Sequence, residues 1–216
     1  MAKQKVGIIG RGNVGRALEK GLKKRGHDVE TVGKEPERVR RAAANAEIVI
    51  LAVPYDQRAN ALREIGDAID GKVLVDVTNA FQTTDRGMTF AHGLDASGAE
   101  EVQRQAPRAK VVKAFNTTFA AAMSSGKAED EQLSVLIAGD DEDAKTAVLE
   151  IAREIGFDAV DAGPLKNALW LETLGFLNME LGYGQGMGPL GVRLIRANAQ
   201  DRVRSEESAN APHLPT

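Results

Sequence analysis

The sequence predicts an α/β fold, a doubly wound and mainly parallel sheet followed by a small C-terminal helical domain. Three observations predict it. Short apolar runs alternate with stretches of helical spacing from Val6 to about Gly163, the order that builds a parallel sheet with helices on both faces. The run "EIVILAVP" is apolar along most of its length, as a strand covered on both faces must be. From Leu165 onward the alternation stops, and "LKNALWLETLGFLNMELGYGQG" reads as apolar and helical.

The elements follow in order. Val6 to Ile9 reads as a buried strand; Ala17, Leu18 and Leu22 then recur at helical spacing until Gly26 stops the helix. "DVETVG" alternates as a second strand, and Pro36 opens a short helix through Arg41, where a first helical turn tolerates proline. After the third strand come a helix from Ala59 to Ile69, a strand from Lys72 to Asn79, and a loop to about Gly93. A helix from Ser97 to Gln105 leads to the strand "KVVKAFN". Gln132 to Gly139 and Phe157 to Gly163 read as strands around a helix from Asp141 to Ile155, which Asp140 is expected to cap. A Gly-rich turn and a last helix to about Ala199 complete the pattern. These readings divide the chain into a dinucleotide-binding domain (1–162), a C-terminal helical segment (163–199) and a tail (200–216) expected to be disordered.

Composition excludes several chemistries. The 216 residues contain no cysteine, so disulfides, thiolate nucleophiles and Cys-type metal sites are out. A net charge of −3 argues against nucleic-acid or anionic-membrane partners. "IVILAVP" is too short to cross a bilayer, and the strand pattern begins at once, without the look of a signal peptide. A cytoplasmic location is expected.

The chemistry lies in "KVGIIGRGNVGRALEKG", where Gly10, Gly12 and Gly15 have the G-x-G-x-x-G spacing between a strand and a helix. In that context the first glycine permits the tight turn, the second lets the backbone approach a pyrophosphate, and the third lets helix and strand pack closely. The helix N-terminus supplies free N–H donors; Arg11 and Asn13 can add more. The reading is thus Rossmann-like. An NAD site usually places Asp or Glu at the end of the second strand. Here Gly33 and Lys34 stand there, with Glu35 beside them and Arg38 one helical turn on. A Lys–Arg pair attracts a 2′-phosphate, so the expected cofactor is NADP(H). Arg40 and Arg41 read as a solvated helix face.

Further motifs are "AVPYDQ", "KAFNT", "DAGPLKNA" and "GMGPLG". With the glycine turn, they give a chain that resembles the F420-dependent NADP oxidoreductase family from Val6 to about Ile195. The resemblance implies hydride transfer between NADP(H) and the deazaflavin coenzyme F420. It implies that Arg11, Gly12, Asn13 and Val14 touch the pyrophosphate, that Lys34 and Arg38 hold the 2′-phosphate, and that Val53, Pro54 and Tyr55 lie near the ribose and pyrophosphate. Asn79, Ala80, Asn116 and Thr117 would lie on the nicotinamide side. The turn with Gly186, Met187 and Gly188 would close over the F420 pocket. The family often has Ser–Arg where this chain has Gly33–Lys34. "KAFNT" is closer to a branch that includes the cytoplasmic domain of membrane ferric reductases, so a flavin acceptor (FMN or FAD) stays open. The resemblance also implies a homodimer.

Hydride transfer between two bound rings needs positioning and dryness more than acid–base groups. No catalytic residue is therefore assigned, and Asn116 is the candidate for positioning. His27 and His213 read as surface residues and His92 as a loop residue. The acidic run Asp140 to Asp143 reads as a helix start, and Glu129 to Glu131 as a solvated loop. Trp170, Leu171, Leu174, Phe176 and Leu177 read as core or dimer packing. Asp161 and Asn167 are expected to fix the turn at Gly163–Pro164. Competing readings are an NADPH-dependent flavin or ferric reductase, a dehydrogenase or imine reductase for small substrates, and a non-catalytic NADP sensor.

Overall fold

The computed structural model describes residues 3–85, 87–91 and 95–196. His92, His213 and the tail 200–216 lie outside the described residues. The chain runs through β1 (Lys5–Ile9), α1 (Asn13–Lys24), β2 (Asp28–Val32), α2 (Pro36–Asn45), β3 (Ile48–Leu51), α3 (Arg58–Ile65) and β4 (Val73–Asp76). A hairpin follows, β5 (Phe81–Thr84) and β6 (Gly87–Phe90), then α4 (Gly98–Gln105), β7 (Lys110–Lys113) and the short α5 (Ala120–Met123). The strands β8 (Lys127–Ala128) and β9 (Glu131–Gln132) form a second small hairpin before β10 (Ser134–Gly139), α6 (Glu142–Ile155), β11 (Asp158–Asp161) and α7 (Ala168–Met179).

The main sheet has seven strands in the order β11-β10-β7-β4-β3-β1-β2. Every neighbouring pair is parallel except β7 and β10. Alternation along the strands feeds two cores, since successive residues face opposite sides. Ile8, Ile50 and Val112 join Leu18 and Leu22 of α1 and Val148 and Ile155 of α6 on one face. Ile9, Leu51 and Val111 join Val39 of α2, Leu62 and Ile65 of α3, and Val102 of α4 on the other. The mainly parallel, doubly wound architecture read from the sequence is the observed one. The chain turns outward in both directions from β1, which lies between β2 and β3; ligands in such sheets bind at this switch, beyond the strand C-terminal ends.

Several details differ from the sequence reading. The stretch read as a loop to Gly93 contains the β5–β6 hairpin, which an aromatic cluster holds down. Phe81 meets Phe90 and Phe176 edge-on at 5.5 and 5.0 Å, and Phe90 stacks on Phe176 at 4.8 Å. The last helix is absent over residues 191–196, where the chain is irregular. There Ser134 N–H donates to Val192 O (2.7 Å) and Leu194 N–H to Ser134 Oγ (2.9 Å), so the segment docks beside the start of β10. Asp141, not Asp140, caps α6 by accepting from Ala144 N–H; Asp140 accepts from Leu165 N–H instead and ties the sheet to the C-terminal segment.

His27 is buried rather than superficial. Its Nδ1 accepts from Gln4 N–H and its Nε2 contacts Glu154 at 2.6 Å. On α7, Leu171 is core, whereas Trp170 and Leu177 are 66% and 52% exposed, so the apolar spacing there marks two faces and not one. Asp161 and Asn167 do fix the turn as expected: Asp161 accepts from Gly163 N–H and Asn167 donates to Ala162 O.

Candidate active site

A cleft of about 420 Å³ opens over the switch point. Gly12, Asn13 and Val14 line it after β1, Ala52 to Tyr55 after β3, and Val77 to Asn79 after β4. The hairpin adds Phe81, Gln82 and Met88, and α7 adds Met179. A second cavity of about 360 Å³ shares Val53 and continues past the end of β2, with Gly33, Lys34 and Asn60 in its wall.

The glycine turn is built for a close approach. Gly10 has φ +125°, and a Cβ there would stand 2.1 Å from Ala52 O. That conformation and that crossing both require glycine. A Cβ on Gly15 would stand 2.0 Å from Gly10 O, so the third glycine lets the helix sit on the turn. Gly12 is different: nothing lies within 4 Å of its Cβ position. A side chain there would fill the cleft itself and screen the α1 N-terminus. That terminus has no side-chain cap and no acid in its first turn, so its N–H groups stay available to an anion. These features fit a dinucleotide pyrophosphate.

At the end of β2, Lys34 is exposed and Arg38 half-exposed. Among the described residues neither has a carboxylate within ion-pair distance, whereas Arg40 pairs with Asp67 (2.5 Å) and Arg41 with Glu30 (3.7 Å). Lys34 lines the second cavity, whereas Arg11, Arg38, Arg40 and Arg41 line neither it nor the cleft. The wall that carries Lys34 also carries Asp56 and Glu64.

The opposite end rests on a buried ionic cluster that sequence reasoning missed. Lys113, Asp76 and Glu172 are all fully buried. The register of β4 and β7 sets Asp76 beside Lys113, and the Lys113 ammonium bonds Asp76 Oδ2 (2.9 Å), Glu172 Oε1 (2.8 Å) and Thr78 O (2.5 Å). Glu172 also accepts from the N–H groups of Gly98 and Ala99, so the positive end of α4 compensates the second carboxylate. Burial pushes the Lys113 pKa down, but Asp76 and Glu172 outweigh it and hold the ammonium above the ordinary lysine value. The signal for this cluster was a charged residue at a core position in each of "VLVDV", "KVVKAF" and "LWLETL".

Above the cluster, Asn79 and Asn116 interlock. Asn79 Nδ2 donates to Asn116 O, Asn116 Nδ2 donates to Asn79 Oδ1 (each 3.0 Å) and also to Leu171 O (2.8 Å). Phe115 takes the left-handed φ of +63° just before Asn116, a costly conformation for a bulky residue. Asn79 lines the cleft and Asn116 backs it. Asn116 Oδ1, Thr78 Oγ1 and Thr117 Oγ1 are buried and, among the described residues, have no hydrogen-bond partner. Tyr55 is held over the Arg58 guanidinium (4.5 Å to the ring centre), and Arg58, itself buried, bonds Glu101 and Gly98 O. Burial raises the Tyr55 phenol pKa, against the opposing charge of Arg58.

The structure thus brings Gly12, Asn13, Val14, Val53, Pro54, Tyr55 and Asn79 to one cleft and Gly33 and Lys34 to its extension. Ala80 is fully buried and lines neither, as do Asn116 and Thr117. Gly186, Met187 and Gly188 are also outside the lining. Met187 N–H donates to Leu181 O and Gly188 N–H to Gly182 O, which folds that turn back on the end of α7. Met88, Met179 and the hairpin wall, which sequence reasoning did not single out, stand in the cleft instead. Among the described residues no group of His, Cys, Asp and Glu is arranged to hold a metal, and no helix is long and apolar enough to cross a membrane.

The family profile "NADP oxidoreductase coenzyme F420-dependent" matches residues 5–45 and 38–80. The chain is 32% identical over 160 residues to the F420-dependent NADP reductase of Methanothermobacter marburgensis, covering 71% of this chain and 70% of that protein. It is 32% identical over 183 residues to the metalloreductase STEAP3 of Rattus norvegicus, covering 79% of this chain but 36% of that protein, so it spans about a third of that relative's length. A crystal structure from Arthrobacter sp. FB24, named provisionally as an F420-dependent NADP reductase, superposes with a TM-score of 0.82 at 27% identity, over 89% of this chain and all of the other.

Proposed function

The chain belongs to the F420-dependent NADP reductase family, and on that premise we propose that it is an oxidoreductase moving a hydride directly between NADP(H) and coenzyme F420. The observation that carries the reading is the asymmetry of the cleft: a phosphate-cradling turn with Lys34 beyond it at one end, and an apolar wall of Val77, Phe81, Met88 and Met179 at the other. When bound, the nicotinamide and the deazaflavin supply the hydride chemistry. The protein binds and aligns them. In this reading Gly12, Asn13 and Val14 hold the pyrophosphate, Lys34 and Arg38 attract the 2′-phosphate, and Asn79, fixed by Asn116, orients the nicotinamide end. The hairpin and the C-terminal segment from Gly163 exclude water from the reacting rings.

A second reading, flavin or ferric reduction by the same NADPH site, has one observation in its favour: the identity to the rat metalloreductase. Purified protein mixed with NADPH and F420 separates the two. Loss of the oxidised deazaflavin absorbance with NADPH, and not with FMN or Fe(III) as acceptor, is expected. Reduction of FMN or Fe(III) without F420 turnover would replace the acceptor and keep the NADPH site. NADPH binding without turnover of any acceptor would make the chain a sensor.

A further inference from the structure

The position of Arg11 in the glycine turn assigns it to the pyrophosphate, but its side chain runs elsewhere. Arg11 Nε donates to Thr31 O at 3.3 Å, and its Cδ lies 3.7 Å from the Cβ position of Gly33. The side chain therefore lies along the end of β2, rather than over the N-terminus of α1. Glu35 converges on the same point: its Oε2 lies 3.1 Å from that Cβ position. A Cβ on Gly33 would press on the Glu35 carboxylate and meet Arg11 in ordinary van der Waals contact. Arg11 is exposed and, among the described residues, has no carboxylate within ion-pair distance, although, after the Lys23 hydrogen bond, its charge helps to lower the Glu19 pKa. In this fold the end of β2 is where the ribose 2′ position arrives.

We propose that Arg11 and Glu35 set the choice between dinucleotides in opposite directions. Arg11 binds the 2′-phosphate of NADP(H). Glu35 opposes that phosphate and accepts a hydrogen bond from the 2′-hydroxyl of NAD(H). A guanidinium gains a charge-assisted bond only where the phosphate is present. A carboxylate repels a phosphate but is a good acceptor for a hydroxyl. Lys34 and Arg38 act with Arg11, whereas Asp56 and Glu64, which also line the second cavity, act with Glu35, so NAD(H) keeps a foothold beside NADP(H). The inference rests on the dinucleotide half of the proposed function and is independent of the second substrate.

The test measures Kd for NADPH and NADH by calorimetry, without any acceptor, on the intact chain and on the Arg11→Ala and Glu35→Gln variants. Both positions are exposed, and thermal unfolding controls for folding. Arg11→Ala is expected to weaken NADPH about tenfold or more while moving NADH by less than about twofold. Glu35→Gln is expected to tighten NADPH and weaken NADH, widening the ratio by about threefold or more. Equal weakening of both ligands in Arg11→Ala would return Arg11 to the pyrophosphate and overturn the inference. An unchanged ratio in Glu35→Gln would overturn it as well. If the unmodified chain does not discriminate NADPH from NADH, the NADP reading itself fails, and that is visible before any variant is made.

Discussion

At the β2 end of the cleft Arg11 and Lys34 are exposed and Arg38 half-exposed, and among the described residues none of them has a carboxylate within ion-pair distance. At the Asn79 end Lys113, Asp76 and Glu172 are wholly buried and bond one another. One end has left its bonding capacity for a ligand, and the other has spent it on the protein. Charge in the first place should therefore govern affinity and charge in the second should govern stability, although both lie within one site.

The largest effect should come from the buried end. Lys113→Met leaves two carboxylates in a dry environment, a loss of about 3–5 kcal/mol, read from urea unfolding. A loss below about 1 kcal/mol would mean that the cluster repacks with water and that the comparison is wrong. The same cluster predicts an alkaline limit. The Lys113 pKa is raised in the folded protein above its ordinary 10.5, so its contribution is complete below that pH and fades as the pH rises through the folded value. Lys113→Met should remove that fading from the pH–stability profile.

The exposed end should respond in the other currency. Lys34→Ala and Arg38→Ala should each weaken NADPH by about fivefold to tenfold and leave NADH and stability nearly unchanged. A fall in stability of about 2 kcal/mol or more would show that this end supports the fold. The smallest effect belongs to Arg41, whose contact with Glu30 is long and exposed. Arg41→Ala should change stability by less than about 0.5 kcal/mol and neither cofactor affinity measurably. A selective loss of NADPH binding in that variant would move the phosphate contact along α2.

The same contrast explains what could be read from the sequence. The strand, glycine turn and helix are consecutive, so the turn of Gly10, Gly12 and Gly15 was legible from local spacing. Asp76 and Lys113 are 37 residues apart, and Glu172 reaches them from the C-terminal segment. Only the pairing of β4 with β7 and the packing of α7 brings them together, and spacing carries no record of either. The β5–β6 hairpin escaped for a related reason: its anchor, Phe176, is supplied from α7. The absent last helix has a local cause. Leu190, Val192 and Leu194 recur every second residue, a period that suits an extended segment better than a helix.

Isotope transfer tests the account most directly. NADPH deuterated stereospecifically at C4 of the nicotinamide, in each of its two forms, would be reacted with F420 on the protein, and the reduced F420 examined by mass spectrometry. The account predicts that one of the two forms passes its deuterium to the deazaflavin without loss to water. Reduced F420 free of deuterium from both forms, or no reduction at all, would contradict it.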